Sequence, residues 1–281
     1  MSFRPDLQSP TSFGPPPSPP TSQESRINRR RLFMALANGG TLLLVLAATV
    51  RLCAAGGWSL VDAGLLICAL AITPWHALGF WNALIGLWLL HGRKNGVVEA
   101  APFLAVAPLV PVRPCGRVAI LMTLRNEDPA RAFVRLRAVK TALDATACAD
   151  LFDFHLLSDT SEPAVAAAEE ALVAQWREED GRSRIFYRRR TSNVGFKAGN
   201  IRDFCETAGD GYQLMLPLDA DSLMGADTII RMVAIMQAHP EIGILQSLAV
   251  GLPAQSAFAR LFQFGMRHGM RCYTLGATWW A

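Results

Sequence analysis

A run of nineteen residues without an acidic or basic side chain, Leu32 to Val50, constrains this chain more than any other feature. At about 1.5 Å per residue in a helix, such a run is long enough to cross the hydrocarbon core of a bilayer. A second apolar stretch, Trp58 to Leu90, contains a single charged residue, Asp62. We therefore predict two transmembrane helices, over about residues 32–50 and 63–90.

Basic residues flank these two segments and set the expected orientation. Four arginines, at positions 26, 29, 30 and 31, precede the first segment, and Arg93 and Lys94 follow the second. The short loop between the segments carries only Arg51 and Asp62. Because cytoplasmic flanks are enriched in Lys and Arg, we expect the N-terminus and the region after the second helix to be cytoplasmic, with the lipid bilayer as a partner.

The composition fits a membrane protein and argues against a nucleic-acid partner. Hydrophobic residues make up 51% of the 281 residues, and the mean hydropathy is +0.24. The net charge is only +4, and the positive charges concentrate at residues 26–31 and 188–190. This pattern indicates local contacts with anions or a lipid surface.

Two segments are predicted to lack regular structure. Residues 1–25 are rich in Pro and Ser, and such a composition cannot bury enough apolar area to offset its ordering entropy. We expect a disordered cytoplasmic tail there. Residues 95–115 contain prolines at positions 102, 108, 111 and 114, which interrupt any long helix. We predict an extended, Pro-rich linker.

From Gly116 to the end of the chain the pattern changes to alternating strands and helices, which predicts one α/β domain over residues 116–281. Such alternation calls for an open, mostly parallel sheet with helices on both faces. Neither a G-x-G-x-x-G nor a G-x-x-x-x-G-K-[ST] motif is present. The predicted strands are 118–124, 152–157, 184–187, 212–218 and 242–247; the predicted helices start near 129 and cover 164–176, 197–208, 225–238 and 258–270.

The fourth predicted strand ends in the sequence LPLDADS, which places Asp219 and Asp221 two residues apart at its carboxyl end. Ligands of open α/β sheets bind beyond this end of the strands. Two carboxylates around a small residue offer the hard oxygen ligands that Mg²⁺ or Mn²⁺ takes together with water and phosphate. The alternative is that both are solvated turn aspartates that cap the next helix. An EF-hand calcium loop is excluded, since Leu223 and Ile230 stand where oxygen ligands are required.

Polar clusters after other predicted strands can converge with this pair. They are Asn126 and Glu127 after the first strand, Asp159 after the second, and the loop before the fourth, RRRTSNVGFKAGN, with Lys197, Gly199 and Asn200. Asp159 could accept the imide N–H of a uracil, and a Lys at a helix N-terminus attracts phosphate. Together these residues predict a site for a nucleoside diphosphate. For residues 188–190, contact with the diphosphate and a solvated loop facing anionic lipid are equally good interpretations.

Two apolar spans ahead of TLRNED, LLSD, RRRTSNVGFKAGN, LPLDADS and GILQS resemble the processive, membrane-bound family 2 glycosyltransferases. The motifs KAGNIRDFC and LDADS are similar to those of the branch that makes osmoregulated periplasmic glucans in the inner membrane of Gram-negative bacteria. The resemblance implies a GT-A fold, UDP-glucose as donor, a divalent metal, and inverting transfer to a growing β-glucan acceptor. It also implies that Asp159 holds uracil, that Lys197 lies near the diphosphate, and that Asp219 and Asp221 bind donor and metal, with Asp221 the direct ligand.

The chain departs from that family in ways that bear on catalysis. The Thr-Glu-Asp step of the general base and the Gln-x-x-Arg-Trp acceptor segment do not occur. We therefore expect a fragment that holds an incomplete GT-A sheet and lacks its general base. Candidate acceptor contacts are Gln246, Trp279 and Trp280, although the tryptophans could instead serve packing. The alternative function is a membrane-anchored module that binds a nucleotide-sugar or a partner without turnover.

Overall fold

A computed structural model describes residues 21–105 and 116–281 of the chain, without the side chains of residues 21–23. Contacts divide the chain into two units. One contains the N-terminal helices together with residues 241–281, and the other contains the sheet. The predicted α/β domain ran to residue 281, whereas the segment from Glu241 onward makes its contacts with the N-terminal helices.

The helical unit is built on two long apolar helices, α1 (Thr21–Gly56) and α2 (Leu60–His91). Both are long and apolar enough to cross a membrane, and most of their large apolar side chains are exposed. Ser59 and Asp62 form a capping box at the start of α2, which satisfies two of the first backbone N–H groups of that helix. The two predicted spans are confirmed as helices of membrane-crossing length.

A short helical segment follows α2, in place of the extended linker predicted from the prolines. It consists of α3 (Gly96–Ala100) and a 3₁₀ turn at Pro102–Ala105. Glu99 of α3 accepts a hydrogen bond from Arg93 at 2.9 Å and lies 3.5 Å from Arg30. The prediction for residues 95–105 was wrong because the first proline comes only after one helical turn. The rest of the linker, residues 106–115, lies outside the described residues.

The predicted disordered tail also falls largely outside the described residues, which begin at residue 21. Helix α1 starts at Thr21, so the last five residues of the predicted tail are helical. Glu24 lies in the first turn of α1, where an acidic side chain complements the helix dipole.

The last helix of the chain, α8 (Ala257–Trp280), packs closely on α2 through glycine. A Cβ at Gly86 would lie 1.8 Å from the carbonyl oxygen of Cys272, and a Cβ at Gly276 would lie 1.9 Å from that of Asn82. Small residues at such crossings allow helix backbones to approach without side chains between them, as in membrane helix pairs. The α2–α8 contact therefore depends on these two glycines.

Within residues 116–240, the sheet unit contains four parallel strands in the order β3-β2-β1-β4. Their bounds are β1 Val118–Leu124, β2 Phe152–Ser158, β3 Ile185–Arg189 and β4 Leu214–Asp219. The connecting helices are α4 Pro129–Asp144, α5 Pro163–Asp180, α6 Phe196–Ala208 and α7 Ala226–Ala238. The α/β fold class with a parallel sheet is confirmed, and so is the predicted start of α4 at Pro129, capped by Asp128.

Successive side chains of each strand point to opposite faces of the sheet and pack into two apolar layers. Ile120, Met122 and Phe154 pack with α4, α5 and α7, whereas Leu121 and Leu157 pack on the opposite face with Phe204 of α6. Both faces of β1 and β2 are buried, which is typical of a parallel sheet. The rigid centre of this unit is therefore β1 and β2, and the loops that follow them are held from both sides.

A buried polar chain lies under α6 at the amino end of the sheet. Tyr212 donates to Asp153 at 2.8 Å, Arg117 forms an ion pair with Asp153, and His155 Nε2 lies 2.7 Å from the Tyr212 hydroxyl. Burial lowers the pKa of His155 to about 4, so the imidazole is neutral near pH 7. The N–H of Tyr212 donates to the carbonyl of Gly209 at 2.9 Å in a 3₁₀ turn, and β4 begins at Leu214, two residues later than predicted.

The predicted fifth strand, residues 242–247, is wrong. The segment has no regular structure, and Ile244 is 90% exposed. A short apolar run cannot be assigned to a strand by periodicity alone. In the described residues β4 pairs only with β1, so Pro217 sits on an edge strand, where its missing N–H donor is tolerated.

We predict that Gly86→Ala and Gly276→Ala each weaken the α2–α8 contact. An added methyl group overlaps a backbone carbonyl, and overpacking of this kind costs about 1–3 kcal/mol. Thermal unfolding of the chain in detergent micelles measures the loss. The controls are Gly79→Ala in α2 and Gly269→Ala in α8, where a Cβ meets nothing within 4 Å. Equal effects in the two pairs of variants would contradict the packing described.

Candidate functional site

A cavity of about 670 Å³ opens at the carboxyl ends of β1 and β4. The sheet order changes direction between these two strands, since β2 and β3 follow on one side of β1 and β4 lies on the other. Ligands of open α/β sheets bind at such a switch point. The cavity is lined by Thr123, Leu124, Arg125, Glu127, Asp128, Arg131, Ala132, Arg135, Asp159, Phe196, Lys197, Asp219, Ala220 and Asp221.

The two predicted metal ligands, Asp219 and Asp221, both line this cavity. Asp219 is the last residue of β4, opposite Thr123 of β1, and its carbonyl accepts from the N–H of Ser222 at 2.9 Å. Arg135 of α4 donates to the carbonyl of Ala220 at 3.2 Å. The aspartate turn is therefore anchored from the neighbouring strand and from a helix.

Lys197, near the start of α6, forms an ion pair with Asp219. Both side chains are about half exposed, at 47% and 62%. An exposed pair of this kind is worth at most about 1 kcal/mol. A ligand that offers an anion to Lys197 and a cation to Asp219 can therefore separate the pair at small cost.

The donor set of the aspartate turn fits a magnesium or manganese ion that keeps most of its own ligands. Two carboxylates supply hard oxygen atoms, and no cluster of three His, Cys, Asp or Glu side chains suited to a metal occurs in residues 21–105 and 116–281. A divalent ion that retains water and phosphate oxygens needs only one or two carboxylates from the protein. A zinc site of three or four protein ligands does not match this arrangement.

Asp159, the predicted uracil contact, also lines the cavity, and its carboxylate is engaged by a guanidinium. Arg190 donates to it through Nε at 2.7 Å and through Nη2 at 2.8 Å. Both side chains are nearly buried, at 9% and 5% exposure. The backbone N–H of Asp159 donates to Leu124 at 2.8 Å, which extends the β1–β2 ladder by one step.

The same arginine connects the strand ends to the start of α6. Arg190 donates to Asp203 at 2.8 Å and to the carbonyl oxygens of Val194 and Phe196 at 3.3 and 3.1 Å. The hydrogen bond with Asp159 raises the pKa of Arg190, and the hydrogen bond from Arg190 lowers the pKa of Asp203. Arg190 therefore stays charged and fixes the loop of residues 190–196.

Gly199 and Asn200, predicted to contact the nucleotide, do not line the cavity. A Cβ at Gly199 would lie 2.0 Å from the carbonyl oxygen of Val194, so the loop rests directly on the helix backbone. Asn200 is buried, donates to Leu157 at 3.2 Å and accepts from Arg188 at 2.6 Å. Both residues seat α6 on the sheet, and we assign them a positioning role.

Neither interpretation of the arginine run fits Arg188 and Arg190. Arg188 donates to Asn200, and burial lowers its pKa, while Arg190 holds Asp159 and Asp203. Only Arg189 is largely exposed, 3.5 Å from Glu170. Two of the three arginines predicted to face lipid or phosphate therefore form hydrogen bonds and ion pairs within the sheet unit.

Asn126 joins the ends of β1 and β2. Its backbone has φ +57°, a conformation that Asn tolerates. Its side chain accepts from the N–H groups of Ser161 and Glu162, and its own N–H donates to Thr160 at 3.1 Å. Asn126 does not line the cavity. Glu127 does, with its carboxylate accepting the N–H of Arg125.

The three predicted acceptor contacts belong to the helical unit. Gln246 is exposed in the irregular segment after Glu241. Trp280 donates to the side chain of Asn82 at 2.8 Å, and the Trp279 ring lies under the guanidinium of Arg30 at 4.6 Å. The tryptophans thus pack on α1 and α2 within that unit.

The sequence prediction did not include several residues that line the cavity, among them two arginines and one aromatic residue. Arg131 and Arg135 lie on the first two turns of α4, and Phe196 precedes Lys197. Arg131 could have been found, because it lies in the first turn of the helix predicted to start near residue 129. No sequence pattern indicated that Phe196 lines the cavity, because its exposure depends on a backbone conformation that the sequence does not reveal.

The fold and the cavity define an α/β protein with a polar, mixed-charge site at its switch point, joined to helices of membrane-crossing length. Curated proteins named glucans biosynthesis glucosyltransferase H are similar to it in sequence. One from Pseudomonas aeruginosa (strain LESB58) is 38% identical over 222 residues, covering 78% of this chain and 25% of that protein. One from Xanthomonas campestris pv. campestris (strain B100) is 36% identical over 261 residues, covering 90% and 39%.

A third such protein, from Bradyrhizobium diazoefficiens, is 37% identical over 254 residues, covering 89% of this chain and 33% of that protein. No protein-family model matches the chain. The chain is therefore homologous to a segment of the glucans biosynthesis glucosyltransferase H family, and the resemblance inferred from the motifs is confirmed. It spans a quarter to two fifths of the length of these relatives.

We predict that Arg190→Gln destabilises the sheet unit by about 3–5 kcal/mol, because it leaves the nearly buried Asp159 carboxylate without a cation. Chemical unfolding of the chain in detergent, followed by near-ultraviolet circular dichroism, measures this loss. Arg189→Gln is the matched control, since its exposed ion pair is worth at most about 1 kcal/mol. The assignment fails if the two variants unfold at the same denaturant concentration.

Proposed function

We propose that the cavity binds the nucleoside-diphosphate part of a UDP-sugar donor. One observation carries this proposal: Asp159, Lys197 and the pair Asp219 and Asp221, which come from three separate parts of the sequence, line a single cavity at the switch point of a parallel sheet. A diphosphate needs cations and a divalent metal needs carboxylates, and the cavity supplies both. Lys197 also stands in the first turn of α6, where helix N–H groups favour an anion.

The exposed Lys197–Asp219 pair is the part of the site that changes when the donor binds. The diphosphate takes the ammonium group of Lys197, and Asp219 becomes free to hold a metal together with Asp221. Mg²⁺ or Mn²⁺ bound there would neutralise the charge that the diphosphate gains as the sugar leaves. Arg135 keeps the aspartate turn in place during this exchange, because it binds a backbone carbonyl and no carboxylate.

Asp159 is the proposed acceptor for the imide N–H of uracil. Its two oxygens each receive one hydrogen bond from Arg190, and each carboxylate oxygen has a further acceptor position. Arg190 therefore orients the carboxylate without saturating it. The site distinguishes uracil from a base that lacks an N–H at that edge.

For the whole protein we propose glucosyl transfer from UDP-glucose to a growing β-glucan, as a family 2 glycosyltransferase with a GT-A domain. The names of the relatives support the glucan and the glucosyl group. Inversion follows from direct attack of an acceptor hydroxyl on the anomeric carbon, with UDP leaving from the opposite face and a general base taking the proton. This chain's residues contribute the donor half of that reaction.

We further propose that α1 and α2 form a helical hairpin in the bacterial inner membrane, with the sheet unit in the cytoplasm. The ion pair of Arg30 with Glu99 brings the start of α1 and the segment after α2 to the same end of the helical unit. Basic residues at that end favour the cytoplasmic side. UDP-sugars are cytosolic, so this orientation gives the cavity access to its donor.

We predict that Asp221→Ala abolishes metal-dependent UDP binding. Loss of one of two carboxylates removes a ligand whose metal contributes several kcal/mol to charge neutralisation. Isothermal titration of UDP into the chain with and without MnCl₂ measures the effect. Asp210→Asn, an exposed change at the amino end of β4, is the control and should bind like the unmodified chain. Unchanged, manganese-dependent binding by Asp221→Ala would remove the metal assignment.

We predict that a reporter fused after Gly96 reads as cytoplasmic in a Gram-negative host. The positive residues that flank both apolar helices retain that end on the cytoplasmic side. Paired alkaline phosphatase and green fluorescent protein fusions at this position, and in the loop near Gly57, give opposite signals when the hairpin is correct. Phosphatase activity at Gly96 would rule out access of the cavity to cytosolic donors.

A further inference from the structure

Phe196 stands in the cavity wall in a conformation that a large side chain rarely adopts. Its backbone has φ +51°, and its side chain is 64% exposed. A bulky residue in the left-handed region is strained, and this conformation persists only where the surroundings impose it. Glycine or asparagine would occupy the same position with less strain if the loop needed only its backbone.

The surroundings of Phe196 fix it on both sides. Its N–H donates to the carbonyl of Asn193 at 2.9 Å, and its own carbonyl accepts from Arg190 at 3.1 Å. Gly195 before it also has a positive φ, of +72°, and the carbonyl of Val194 rests on Gly199. The ring is therefore presented by a rigid loop and not by a mobile one.

Phe196 lines the same cavity as the groups that the proposed donor site uses. Phe196 precedes Lys197, and the arginine that holds its carbonyl also holds Asp159. The guanidinium of Arg125 lies over the Phe196 ring, with Cζ 5.5 Å from the ring centroid. An exposed aromatic face thus adjoins an acceptor for a base edge and a cation for a phosphate.

We propose that Phe196 is the surface on which the planar base of the donor stacks, and that it determines the preference of the cavity for a nucleoside diphosphate over a bare diphosphate. This inference rests on the proposed function of the cavity. Asp159 reads the edge of the base and Phe196 covers its face, while Lys197 holds the diphosphate next to it. Arg125 supports the ring by its cation–π contact and lies at the cavity wall with it.

The test compares two ligands on the full chain in detergent with MnCl₂: UDP, which has a base, and inorganic pyrophosphate, which has none. Base–aromatic stacking changes affinity by about 5- to 150-fold, so Phe196→Leu should weaken UDP binding by at least about fivefold. Pyrophosphate binding should stay the same in this variant. Phe196→Tyr keeps an aromatic ring and must adopt the same positive φ, so it should bind UDP as tightly as the unmodified chain. Phe258→Leu, which alters another exposed phenylalanine, in α8, is the control and should leave both affinities unaltered.

Two results overturn the stacking role alone. Equal UDP affinity in Phe196→Leu and the unmodified chain means that the ring makes no contact with the base. Parallel losses for UDP and pyrophosphate mean that the substitution acts through the loop and Lys197. An unmodified chain that binds neither ligand overturns the proposed function together with this inference, and this outcome is distinct from a failure of Phe196 alone.

Discussion

Parallel pairing of β1, β2 and β4 places the carboxyl ends of these strands at one edge, and every feature of the cavity follows from that constraint. Residues that are about 30 to 100 positions apart in the sequence become neighbours because each follows a strand of the same direction. The central strands are buried on both faces, so the edge they present is rigid. A site built on loops after such strands needs little further ordering to bind a ligand.

Polar residues at this edge divide into those that face the cavity and those that hold its walls. Asp159, Lys197, Asp219 and Asp221 face it, whereas Asn200, Arg188 and Arg190 are used inside the fold. Arg190 belongs to the second group but acts on the first, since its planar guanidinium binds the Asp159 carboxylate bidentately and also binds the Asp203 carboxylate and two carbonyls. A lysine could not make this set of contacts.

The sequence allowed the strands β1 to β4, the helices between them and the two apolar helices to be predicted, because their apolar periodicity is clear. It also located Asp159, Lys197, Asp219 and Asp221, since acidic and basic residues after strands follow a known topological rule. Within residues 188–200, the sequence did not show which side chains line the cavity and which ones stabilise the fold around it. That distinction depends on the direction in which each side chain leaves a short loop. The strand expected at residues 242–247 failed for a related reason, since a run with only three large apolar residues, Ile242, Ile244 and Leu245, fits several environments equally well.

The helical unit follows a different physical rule, in which close approach of backbones matters more than polar contacts. Gly86 and Gly276 permit that approach between α2 and α8, and Asn82 adds a hydrogen bond to Trp280 at the same crossing. Buried amides in apolar helices are costly unless paired. The tryptophans near residue 280 are accounted for by this packing.

The measurement that tests the account most directly is the structure of the chain crystallised with UDP and Mn²⁺, with anomalous diffraction recorded at the manganese edge. The account predicts an anomalous peak within about 2.5 Å of carboxylate oxygens of Asp219 and Asp221, with the uracil against Asp159 and the Lys197–Asp219 pair opened. A manganese peak elsewhere, or UDP bound with that ion pair intact, would contradict it.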